Sequence, residues 1–341
     1  VNLDSVVSIG QEAAAVVIAK PTRPFSEKNK FKLDQYIMNG GKVLWLLDKV
    51  AVSLDSLRGR KSYYPNEYDL NLDDLLFKYG VRIQPDLVLD MQCSTIPLAT
   101  GMVGNAPQFD YFRYPYHLAV APQSSHPVVK SLGVVNLLYA SSIDTSVQTK
   151  TRVEKDVLLQ SSPNTRVQLI PVEMNFEFLR YDLDPDKFNQ EPRVLALALE
   201  GVFPSMYENR VTESMLDGLA QLGMEFKPQS VPTKMIVVSD GDVARNKINP
   251  QNQSISPLGY NEFDRYLFAN KDLLLNALEY LLDDKGVIEA RGKEVRLRLL
   301  DTVKAKRETA FWQLFNIGLP LAFLLAFGLL YNWIRRRRFA R

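Results

Sequence analysis

The chain has one cysteine, Cys93, in 341 residues, so no intramolecular disulfide can form. Histidine is nearly as scarce, with only His117 and His126. Together these exclude a structural zinc site of the Cys/His type. No GxxxxGK[ST] loop is present to cradle a nucleotide phosphate, and no GxGxxG follows a strand-like run. No G-x-S-x-G or G-x-C-x-G elbow presents a nucleophile. No internal repeat is evident. A large charge of either sign is missing too. The net charge is +2, and five arginines lie within 335–341; without them the chain has 36 basic and 39 acidic residues, a balance of −3. A slightly acidic body with a basic tail argues against a nucleic-acid partner, which needs Lys and Arg spread over a folded face. The residues imply no cofactor and no dedicated metal site. The chain opens on Val1, without Met or a signal peptide, and is read as a processed or truncated piece.

The strongest positive signal is FWQLFNIGLPLAFLLAFGLLYNWI, residues 311–334, which carries no charge. As a helix it is about 36 Å long, enough to cross a hydrocarbon core of about 30 Å. Trp312 lies near one end, and Tyr331 and Trp333 near the other, where interfacial aromatics belong. Arg335, Arg336, Arg337 and Arg338 follow directly. By the positive-inside rule they mark the cytoplasmic end and can contact lipid headgroups. The residues before the span are therefore expected outside the cytoplasm. Gly318, Ala322, Ala326 and Gly328 offer small surfaces for close helix contact.

The body alternates apolar β-rich runs with helical patterns. AVVIA near 14–19, VLWLL at 43–47, RVLALAL at 193–199 and KMIVV at 234–238 read as strands. Residues 26–39, 72–79 and 270–282 read as helices, the last with Leu274, Leu278 and Leu281 on one stripe. Val81–Ile83, Leu87–Leu89, Val134–Ala140 and Val167–Val172 read as further strands. This rhythm predicts an α/β fold, a mostly parallel sheet with helices on both faces. Residues 93–123, dense in Pro, Gly and Tyr, read as a loop-rich insertion. A helix is expected from His126, and 145–166 reads as a polar hairpin or excursion. The organisation expected is an extracytoplasmic α/β region over 1–293 with a seam near 185–192. A juxtamembrane helix over 294–310, the span over 311–334 and a basic tail over 335–341 complete it.

One stretch looks like chemistry. VVSDGDVARN, residues 237–246, drives a β-branched run into a Ser239-Asp240-Gly241-Asp242 turn. The carboxyl end of a strand is where α/β folds collect ligands, and two carboxylates can attract a hard cation. Two oxygens are few for such a site. Asp240 and Asp242 also suit Asx turns, Gly241 a permissive backbone, and Asn246 the anchoring of a neighbouring loop. Ser239, Asp240, Asp242 and Asn246 thus stand as candidate ligand or partner contacts, with a metal-dependent hydrolase as the alternative use of the turn. Tyr114, Tyr116 and His117, in the aromatic run from Tyr111, are candidates for gripping a glycan or peptide. Cys93, in MQCSTIP, suits an extended segment, and His126, in SSHPVV, a local hydrogen-bonding role.

The order of VVSDGDVARN, NKDLLLNALEYLLDD, VRLRLLD, a WQ pair and a proline-containing span capped by RRRR resembles gliding-motility auxiliary proteins of the GldG type. IPLATG, YPYHLAVAP, HPVVKSL and MNGGKVLWLLD fit as well, so the resemblance covers nearly the whole chain. It implies a non-catalytic, amidotransferase-like α/β domain on the periplasmic side of a bacterial inner membrane. Its implied partners are an ABC permease and a separate cytoplasmic ATPase, and its implied output is gliding motility. It assigns no active site to Asp240 or Asp242.

Overall fold

KVLWLL, residues 42–47, carries no polar residue after its lysine, and a strand of that kind must be covered on both faces. In the computed structural model it is. The structure describes residues 2–339 apart from 11, 58, 105, 249–251 and 284–301. Strand β2 (Lys42–Leu46) lies inside a five-stranded sheet with β1 (Ala15–Ala19), β10 (Thr233–Val238), β9 (Val194–Gly201) and β7 (Val153–Gln160), in the order β1-β2-β10-β9-β7. Side chains alternate across it. Val43, Trp45 and Leu47 enter one core, and Leu44 and Leu46 enter the other. Met235 and Val237 of β10 join the first core, Ile236 and Val238 the second.

Helices cover both faces, as expected. Helix α1 (Glu27–Met38) starts at Ser26, whose side chain accepts from Asn29 N, and puts Leu33, Tyr36 and Ile37 into the first core. Helix α2 (Asp73–Lys78) adds Leu75 and Leu76 to it. Helix α4 (Asn270–Leu282) lines the second core with Leu273, Ala277 and Leu281. Leu274 and Leu278 are only partly buried there, so the buried stripe is rotated from the one the spacing predicts.

The mostly parallel sheet is corrected. β1 pairs with β2, and β2 with β10, in parallel, while β10–β9 and β9–β7 are antiparallel. The reason lies in the connections. β1-α1-β2 is a true crossover. The helix between β9 and β10, α3 (Glu213–Gln221), buries none of its residues. A β-α-β rhythm implies a parallel pair only when the helix packs back on the sheet.

Other strands leave the sheet altogether. Arg82–Ile83 pairs antiparallel with Ile143–Asp144, and β3 (Asp86–Asp90) with β8 (Thr165–Leu169). The expected loop insertion is instead a long antiparallel hairpin of β4 (Cys93–Val103) and β5 (Ala106–Val120), with β6 (Val135–Leu138) on the far side of β5. Met102, Val103, Phe109 and Tyr111 on this hairpin are exposed. The polar stretch from 145 contains β7, a member of the main sheet. After His126 there is a turn over 127–131 and no helix.

By its internal contacts the chain forms two compact units, Val1–Leu297 and Arg298–Arg341. The second contains α5 (Thr302–Arg307) and α6 (Thr309–Phe339). Glu308 N donates to Lys304 O at 2.9 Å, and Trp312 N to Glu308 O at 3.0 Å, so helical bonding runs across the join. Of the expected juxtamembrane helix, 294–301 lie outside the described residues. In α6 the most apolar stretch of 18 residues has a mean hydropathy of 2.0.

Candidate functional site

Three parallel strands of the sheet end in charge. β1 runs into Lys20, β2 through Leu47 into Asp48, and β10 through Ser239 into Asp240. Because the strands are adjacent and parallel, these residues meet at one carboxyl edge, where ligand sites of open α/β sheets form.

Lys20 is the centre of the cluster. Its Nζ lies 2.8 Å from Asp48 Oδ2 and 2.6 Å from Asp242 Oδ2. The backbone of Lys20 has φ of 45°, a left-handed conformation uncommon for a residue with a Cβ. Burial pulls its ammonium down, but Asp48 and Asp242 outweigh that, and the net shift is upward. The ammonium occupies the place between the carboxylates where a cation would bind. Among the described residues no group of three or more His, Cys, Asp or Glu is arranged to hold a metal ion.

The carboxylates also bind backbone. Asp48 Oδ1 accepts from Gly241 N at 2.5 Å. Asp240 is fully buried; its Oδ2 accepts from Leu138 N in β6 at 2.8 Å and its Oδ1 from Asp242 N at 2.7 Å. The last bond is the Asx turn expected of this stretch. Burial, then the charges of Asp48 and Asp242, push the Asp240 carboxyl well above the usual range. Asp48 is raised as well, through burial, against the pull of Lys20. Ser239 is buried and donates through Oγ to Ser141 O at 2.5 Å and Leu195 O at 3.0 Å. Asn246 is exposed and donates from Nδ2 to Ser256 O at 2.9 Å, holding the neighbouring loop.

Gly241 plays a different part from the one expected. Its φ of −82° suits any residue. What it lacks is room: a Cβ would stand 2.8 Å from Lys20 Cβ and 2.9 Å from Lys20 Cα. Gly241→Ala should therefore push Lys20 off its partners and cost about 1–3 kcal/mol. The check is the urea midpoint at constant slope; an unchanged midpoint would show that this approach is not tight.

The aromatic candidates lie on β5 and not on a loop. Tyr114, Tyr116 and His117 are buried and pack with Tyr139, Phe176 and Phe178. Tyr116 OH meets Gln168 Oε1 at 2.5 Å. Burial lowers His117 to about 3, so its ring is neutral at physiological pH, and raises Tyr116 to about 12. Of the aromatic side chains in the run only Tyr111 is well exposed, at 61%. His126 has the local role expected: its Nδ1 accepts from Val128 N at 3.3 Å. Arg335, Arg336, Arg337 and Arg338 continue α6, with the Arg337 guanidinium 4.0 Å from the centre of the Trp333 ring.

The residues that sequence reasoning missed are Lys20 and Asp48. Their signal was present, since each is the first charge after an apolar strand. Missed also were the buried aspartates that clamp serines. Asp86 accepts from both N and Oγ of Ser142, and Asp90 from both N and Oγ of Ser162. Burial raises Asp86 and lifts Asp90 to about 6.

A family model described as an ABC-type uncharacterized transport system matches residues 1–277. A search of curated proteins returns no match. Among solved structures, one described as "mmIFT52 N-terminal domain" aligns over 81% of this chain and 80% of its own. The identity is 13% and the TM-score 0.39, too low to carry an argument.

Proposed function

The chain belongs to this ABC-type uncharacterized transport system family, and from that membership we propose that it is a non-catalytic auxiliary subunit of an ABC transporter. The observation that carries the reading is α6. One helix in the described residues is long and apolar enough to cross a membrane, and it ends in four consecutive arginines. In this reading α6 anchors the chain in a bacterial inner membrane, the arginines lie in the cytoplasm, and the α/β unit lies on the periplasmic side. The permease and a separate cytoplasmic ATPase are its partners, and gliding motility is the output in bacteria that glide. The amidotransferase-like frame enters only through the parallel trio β1, β2 and β10.

The non-catalytic part draws support from the carboxyl-edge cluster. Lys20, Asp48, Asp240 and Asp242 are engaged with one another and with backbone amides, and Ser239 donates to two carbonyls. No observation favours the metal-dependent hydrolase, because Lys20 stands where its metal would bind. The glycan-sensor reading has the exposed ring of Tyr111 alone in its favour.

The test is purification of the full chain from native membranes in mild detergent. A polytopic permease and a P-loop ATPase are expected to co-purify. Recovery of the chain alone, from membranes in which other transporter complexes survive, would overturn the subunit reading.

A further inference from the structure

Helix α3 is built to bury a face, yet it does not bury it in the core. Thr212 caps it, its side chain accepting from Met215 N at 3.4 Å. Met215, Leu219 and Leu222 recur at helical spacing on one side. Nine residues are too few for a helix to hold by local bonding alone. Even so Met215 is 43% and Leu222 60% exposed. This apolar side looks across at α1, and the two helices with residues 7–10 line a half-open cavity of about 640 Å³. Phe31 and Tyr36 of α1 line the opposite wall.

Size and charge narrow the occupant. The volume is that of a small-molecule site. Two turns of a docked helix, about 10 Å across and about 11 Å long, would exceed it. Lys28, Lys32 and Lys227 border the cavity, against Glu27 and Glu225. Glu27 and Lys32 are already committed: Glu27 accepts from Lys30 Nζ and Asn71 Nδ2 at 3.1 Å and from Tyr207 OH at 3.2 Å, and Lys32 Nζ donates to Leu3 O at 2.7 Å and Asn29 Oδ1 at 3.3 Å, which leaves Lys28 and Lys227 against Glu225. The walls thus ask for an apolar body and the rim for a single negative head. We propose that the α1–α3 cavity binds a single-chain anionic amphiphile of the long-chain fatty-acid class. This goes beyond the transporter reading and does not depend on it, since co-purification of the permease tests only the latter.

The test uses the full chain in lipid nanodiscs, titrated with dansylundecanoic acid below its micelle concentration, with protein-free nanodiscs subtracted. Saturable micromolar binding is expected. Laurate should displace the probe, and dodecanol, which lacks the charge, should do so about tenfold less well. Leu219→Glu sets a carboxylate into the cavity and should abolish binding. Leu222→Glu, at a more exposed position, is the second variant should the first lose its fold. Lys28→Glu with Lys227→Glu should weaken laurate while leaving dodecanol unchanged. Binding that does not saturate, or that survives Leu219→Glu or Leu222→Glu in a folded chain, would overturn the proposal in favour of partition into the bilayer. Equal displacement by dodecanol would overturn the anionic head. Absence of probe binding, with α3 protected from hydrogen exchange in the co-purified complex, would reassign the cavity to a protein partner.

Discussion

Lys20→Met is expected to lower the stability of the α/β unit by about 3 kcal/mol at pH 8, and by clearly less at pH 5. The lysine is the cation between Asp48 and Asp242, whose side chains are 8% and 5% exposed. Without it Asp48 loses its cation, Asp240 stays buried beside it, and Asp242 keeps only the exposed Arg245, whose Nη1 lies 3.4 Å from its Oδ1. Truncating one side of such a cluster leaves a buried charge with no partner, which is why the loss exceeds that of a surface ion pair. Lys20 itself is 24% exposed, so water relieves part of the penalty and the lower end of the range applies.

The pH dependence has a definite sign. Asp48 and Asp240 both hold their protons more tightly in the folded chain than in the unfolded one, chiefly because they are buried. Between the unfolded value near 4 and the raised folded values, the native state binds more protons, so stability rises as pH falls. Removing Lys20 raises these carboxyls further and enlarges that gain. The deficit of the variant should therefore shrink on acidification. Thermal melts at pH 8 and pH 5 check it, at roughly 2 °C per kcal/mol for a unit of this size. An equal deficit at both values would mean that the variant acts through packing and not charge. Lys20→Met combined with Asp242→Asn should lose less than the two single changes summed, since they share one interaction.

The second large effect concerns sidedness. A cysteine at Tyr181, which is 77% exposed, should react fully with a membrane-impermeant maleimide added to intact spheroplasts. Unchanged protein should stay silent. Its only thiol, Cys93, is pushed up to about 12 by burial, so almost none is thiolate at neutral pH. Tyr181→Cys is thus a single-site reporter without removal of the native cysteine. Labelling only after lysis would place the α/β unit in the cytoplasm and overturn the orientation drawn from Arg335 to Arg338. Ending the chain before Thr302 removes α5 and α6. Residues 1–301 expressed by themselves should then be recovered in the supernatant, where residues 1–341 go to the membrane fraction.

Much of the fold was legible where one element satisfied one pattern. Helix α4 spans Asn270–Leu282, the range its periodicity predicts. β2 and β10 announced themselves as apolar runs because both faces are covered. The β4–β5 hairpin was not legible, for a physical reason. Proline argues against a strand only where the ladder demands its N–H. Pro97 lies on β4, an edge strand, and Pro115 lies where the β4–β5 register shifts between Thr95↔Arg113 and Cys93↔Leu118. Neither position obliges that donor. The cluster at the carboxyl edge was half legible. The Ser239–Asp242 turn stood out, but its cation enters from Lys20, and Asp48 is 193 positions from the amide it accepts. Periodicity carries no information about contacts at that separation.

The sheet order also sets when this chain can finish folding. β10 lies between β2 and β9, yet it comes last of the five strands in the chain. Until Thr233–Val238 has been made and delivered, β2 and β9 each keep a bare edge, and neither core can close. β1, α1 and β2 can assemble early from local contacts, whereas the central closure joins segments nearly two hundred residues apart, a slow step in a folding reaction. A nascent chain halted before β10 is therefore an open sheet with apolar faces, the kind of intermediate that aggregates or recruits chaperones. Seventy residues, 239–308, separate β10 from the apolar helix. The α/β unit can thus close its sheet only shortly before the apolar helix is made.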